Sequence, residues 1–191
     1  MDGLECDALI RRKNREVTMK VRTNLPFSFI LALASMLVVA KAFGDGATAR
    51  TQITDHYRVA FEIGPLPTML MPDQASGATE GEVMVGMPGI PMRPMDAMNE
   101  GQPVNRHLEV HVHDKATGTV LSTPMPMVAL TDQATGKSRY VSALTLMYDV
   151  KVGPQDLHFG QNLYLPAGKY TLTVIIAGER ATFNDITVGN P

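Results

Sequence analysis

The chain has 191 residues and a mass of 20.7 kDa, and 45% of it is hydrophobic, enough to bury a core and too apolar for a disordered chain. With 6% aromatic residues, no Trp and a formal charge of −2, it lacks the basic surface and stacking rings of a nucleic-acid binder. A single Cys excludes an intramolecular disulfide and any multi-cysteine zinc or iron–sulfur site, while 13 Met is an unusual number.

Residues 1–49 read as a signal peptide and short leader. Arg11, Arg12, Lys13, Arg15, Lys20 and Arg22 form a basic n-region, followed by an apolar run from Phe27 to Ala40. Ala40-Lys41-Ala42 fits the small-x-small cleavage pattern, with Ala47-Thr48-Ala49 as a second candidate. The run of about 14 residues is short for a membrane span of roughly 20. Export with cleavage is therefore expected, and a retained N-terminal anchor is the alternative. Removing residues 1–42 leaves 10 basic and 15 acidic residues, no thiol, ten Met and all five His. Such a domain would bind metal through imidazole, thioether and carboxylate.

Residues 50–191 then read as one β-sandwich domain. His56–Ile63 alternates loosely, Glu82–Met87 is a short candidate strand, and His107–His113 alternates strictly. Pro126–Thr131, Tyr140–Tyr148, Gln161–Leu165, Lys169–Ala177 and Arg180–Val188 are rich in β-branched, aromatic and leucine residues. Asp114-Lys-Ala-Thr-Gly118 and Asp132-Gln-Ala-Thr-Gly136 are near-copies, read as two hairpin loops with Gly at a positive-φ position. No segment sustains a 3.6-residue apolar period. The spacing predicts an all-β, antiparallel sandwich of about seven to eight strands. Gly64–Pro103, rich in Gly, Pro and Met, is expected to be a long Met-rich loop holding one strand.

The segment Arg106-His-Leu-Glu-Val-His-Val-His113 carries the most chemistry. In a strand, Leu108, Val110 and Val112 share one face, and His107, Glu109, His111 and His113 share the other at steps of about 6.6–6.8 Å. Imidazoles and a carboxylate on one face suit Cu(II), Zn or Fe(II); the plainer reading is a polar face standing in water. His158, at the entry to a strand, is a further candidate ligand, and Met147 the best single thioether beside the cluster. Met92, Met95 and Met98, spaced every third residue, form a second soft site suited to Cu(I) or fill gaps under an irregular loop. His56 is expected to be structural or exposed. No nucleophile elbow, His-Glu-x-x-His helix or Walker loop occurs, so an enzyme is not expected.

At His107-Leu-Glu109, Met147 and His158-Phe-Gly160, with Asn162 beyond, the chain resembles the periplasmic metal-binding proteins associated with bacterial iron-transport permeases. The likeness covers Arg106 to Thr173. It implies an Ig-like sandwich that binds Cu(II) or Fe(II), one ion per site, through His107, Glu109, Met147 and His158. It also implies a homodimer and an inner-membrane metal permease as partner. Two departures stand: no His follows His158, so either His111 or His113 would substitute for a missing ligand or the coordination would be more open, and the Met147-to-His158 spacing is long, which leaves Met127 open as the thioether. The competing expectations are a Met-rich Cu(I) chaperone and a non-metal sandwich for adhesion or partner binding. Binding should weaken as falling pH protonates the imidazoles.

Overall fold

The computed structural model describes residues 48–86, 98–99 and 101–190. The strands are β1 (Thr48–Ile53), β2 (Tyr57–Gly64), β3 (Met69–Leu70), β4 (Glu82–Met84), β5 (Met98–Asn99), β6 (Gln102–Pro103), β7 (Arg106–Asp114), β8 (Met127–Asp132), β9 (Ser138–Val141), β10 (Thr145–Asp149), β11 (His158–Leu163), β12 (Gly168–Ile176) and β13 (Glu179–Val188). Two short 3-10 turns, Pro72–Gln74 and Pro154–Asp156, are the only helical pieces among the described residues. The described residues form an all-β sandwich. A seven-stranded sheet runs β1-β2-β7-β11-β10-β4-β3, and a four-stranded sheet runs β13-β12-β8-β9. All neighbours pair antiparallel except β3 and β4.

The strict alternation along β7 sets the layering. Leu108, Val110 and Val112 are fully buried, and with Val59, Phe61, Ile63, Phe159 and Leu163 they form one half of the core. Val128, Leu130, Leu172, Val174, Ile176, Phe183 and Ile186 supply the other half from the smaller sheet. Phe61 and Phe183 meet across the layers edge-to-face, their centroids 4.8 Å apart. At one side the sandwich is closed by side chains: Gln52 exchanges hydrogen bonds with Thr182 in both directions, and Arg50 Nη2 donates to the Asp185 carbonyl at 2.6 Å. These contacts cover the edges that β1 and β13 would otherwise present.

Several expectations need correction. Thirteen strands exist among the described residues rather than seven or eight. β1 begins at Thr48, inside the segment read as leader. The stretch 64–103 holds four short strands instead of one, with residues 87–97 and 100 outside the described set. Tyr140–Tyr148 is not one strand. It splits into β9 and β10, which belong to different sheets, because Ala143 has φ +56° and breaks the extended backbone between them. The two Asp-to-Gly repeats are turns as expected: Asp114 Oδ1 accepts from the Thr117 amide and Asp132 Oδ1 from the Ala134 and Thr135 amides. Gly118 and Gly136 hold φ of +73° and +69°.

Candidate metal centre

The second face of the seven-stranded sheet collects the donors. Register places Asn162 opposite His107 and Gly160 opposite Glu109 across β7 and β11. Met147 on β10 lies opposite His158 on one side and Met84 on β4 on the other. Directly paired residues project from the same face. His107, Glu109, His158, Gly160, Asn162, Met147 and Met84 are thus one contiguous patch turned away from the core of the sandwich. This face is dry all the same: His107 is 1% exposed, and His158 and Met147 are 0%.

Each buried imidazole is held in one tautomer. His107 Nδ1 donates to Asn162 Oδ1 at 2.7 Å. His158 Nδ1 is 2.8 Å from the backbone carbonyl of Asp156, which can only accept, so that nitrogen carries the proton. Both Nε2 atoms are left as bare lone pairs, buried and without a hydrogen bond. That is costly in a dry interior unless something binds there. Outer partners on Nδ1 with Nε2 aimed inward is the arrangement that metal-binding histidines adopt.

The lone pairs converge. One donor atom each from His107, Glu109 and His158 lies within 4.8 Å of the others. Gly160 keeps the space between them open: a Cβ there would sit 2.6 Å from Met147 Sδ and 3.0 Å from His107 Nε2. A thioether and an imidazole therefore crowd the same point from two strands, and only glycine tolerates both. On the β4 side, Glu82 Oε2 is 3.4 Å from His158 Nε2. A neutral imidazole offers that carboxylate a lone pair rather than a proton, so a cation between them would relieve the opposition.

Burial lowers the pKa of His107 and His158, against the opposing charge of Glu109, and brings His158 to about 4. Both are neutral near pH 7, as ligands must be. Burial alone would raise the Glu109 carboxyl. The hydrogen bond from His111 Nε2 at 3.2 Å and the charges of His158 and His107 outweigh it and bring the group down to about 2. His113 is lowered chiefly by burial, with the Gly118 carbonyl opposing.

The four primary candidates, His107, Glu109, Met147 and His158, are brought together. His158, read as standing at the entry to a strand, is the first residue of β11. His111 lies beside it, ring centroids 4.9 Å apart. His113 falls at the outer end of β7 and bonds the Gly118 carbonyl. Met127 is excluded as the thioether: it is on β8 of the other sheet and 57% exposed. Met92 and Met95 lie outside the described residues; Met98 is placed in β5. His56 is exposed and paired with Glu179 at 2.5 Å. Sequence reasoning missed Glu82, Met84 and the role of Asp156. Asp156 stands two residues before His158, a spacing that could have flagged it, whereas nothing local marks Glu82.

No family model matches the chain, and no curated protein or solved structure matches it either.

Proposed function

We propose that the protein binds one divalent transition-metal ion, Cu(II) or Fe(II), in the periplasm and passes it to an inner-membrane permease. The observation that carries this reading is the pair of buried Nε2 lone pairs, on His107 and His158, turned toward a space that Gly160 leaves open beside Met147 and Glu109. Two imidazoles, a carboxylate and a thioether form a mixed donor set that accepts both metals, with Cu(II) bound more tightly than Fe(II) by the Irving–Williams order. The basic and apolar leader supports export, and cleavage after Ala42 would leave β1 whole. The motif resemblance at His107-x-Glu109 and His158-Phe-Gly160 supports the transport role.

Titration of the protein with Cu(II), and with Fe(II) under anaerobic conditions, tests the reading. His107→Ala and His158→Ala should each weaken Cu(II) at least a hundredfold; unchanged affinity in both would remove the basis for it. Metal analysis of protein recovered from its native compartment, with and without His107, identifies the ion carried. Retention of Cu(I) alone, lost on exchanging Met92, Met95 and Met98 for Leu, would favour a Cu(I) chaperone instead.

A further inference from the structure

The proposed seat is closed to solvent at His107, His158 and Met147, so an incoming ion needs donors nearer the surface. A second group of three provides them. One donor atom each from His111, Asp156 and His158 lies within 4.8 Å of the others; the side-chain exposures are 0% for His158, 10% for Asp156 and 17% for His111, with Glu109 of the inner group at 12%. We propose that His111 and Asp156 form, with His158, an outer seat where the cation is first captured and from which it moves inward. This rests on the metal-binding reading of the inner seat.

The two seats overlap in a way that suits transfer. His158 belongs to both: Nε2 is turned to the inner group, while Nδ1 stands 3.7 Å from Asp156 Oδ2 and would give up its proton to a cation held there, and the ring is tilted 46° against that of His111 at 4.9 Å. Glu109, a donor of the inner group, is hydrogen-bonded to His111 at 3.2 Å. An ion on the outer seat is therefore already next to two inner donors, and can exchange ligands one at a time without ever being bare. Asp156 is fixed for this by the 3-10 turn: its Oδ2 accepts from the Asp149 amide at 3.3 Å and its carbonyl anchors His158. A pair that merely neutralised charge in the sheet face would have no bearing on how fast metal arrives.

Stopped-flow mixing of the full chain with Cu(II), followed by stripping with a chelator, separates the two roles. In His111→Gln, in Asp156→Asn and in the double variant, uptake should slow, at least tenfold in the double. Release should slow as well, because entry and exit share the route, so the affinity for the first ion falls by less than the uptake rate does. Wild-type uptake and release rates in the double variant would overturn the outer seat while leaving the inner one standing. A loss of affinity carried by faster release, with uptake at the wild-type rate, would also overturn it, since the residues would then act as inner ligands. If His107→Ala and His158→Ala leave Cu(II) affinity untouched, the inner seat falls and the outer one with it. Near-ultraviolet circular dichroism, from the five Tyr, confirms that each variant is folded.

Discussion

Both faces of the β7–β11 pair bury side chains, but they are built on opposite principles. On the inner face, Leu108, Val110, Val112 and Phe159 meet apolar partners across the sandwich, and their burial is favourable without any ligand. On the outer face, His107 and His158 are just as buried, yet each keeps a lone pair with nothing to bond. The first face explains why the chain folds. The second costs desolvation that folding alone does not recover, and this is what the metal-binding proposal rests on.

That contrast can be broken from either side. The largest effect should come from Phe159→Ala, which opens a cavity in the core and should lower stability by about 3–5 kcal/mol, while Cu(II) affinity of the molecules that remain folded changes less than threefold. Denaturant melts with and without Cu(II) measure both. His158→Leu should do the reverse: Cu(II) affinity falls a hundredfold or more, while metal-free stability changes by only about 1 kcal/mol, because the Nδ1 bond to the Asp156 carbonyl that is lost contributes about that much net and the unbonded Nε2 gives way to an apolar group. A collapse of metal-free stability in that variant would mean the imidazole is structural.

Smaller changes probe how the donors are held. Asn162→Leu removes the acceptor that fixes His107 and should weaken Cu(II) by about 10–100-fold. Gly160→Ala places a methyl against Met147 Sδ and His107 Nε2. It should lower Cu(II) affinity by about tenfold, because a buried methylene-sized intrusion displaces both donors, with the strand pairing intact.

The pH dependence should be the mildest and comes with a definite sign. The folded-state pKa of His107 and His158 is lowered by burial, to about 4 for His158, while in the unfolded chain imidazole titrates near 6.5. The unfolded state therefore gains protons first as pH falls. Metal-free stability should be fully present above about pH 6.5 and decline down to about 4. Glu109, lowered to about 2, adds a loss only at more acid pH. Protons should likewise compete with Cu(II) below the ordinary imidazole range rather than through it. Thermal melts of wild type and His158→Gln between pH 7 and 4 test this, with a flatter profile expected for the variant.

Much of this was written in the sequence. Strict alternation in residues 107–113 fixes which side chains share a face, since a strand has a period of two whatever surrounds it. The Asp-to-Gly repeats fix two turns by local hydrogen bonding and a positive φ. The apolar strands declare a sandwich because their faces must be covered. The tertiary structure decided the rest. Pairing of β10 between β11 and β4 sets Met147 beside His158 and leaves Met127 on the far sheet. It also brings in Glu82, far away in sequence. The burial of the polar face could not be read locally either, because alternation says which way a side chain points and not whether water reaches it. A donor cluster assembled from four strands depends on register, and register is a property of the folded sheet.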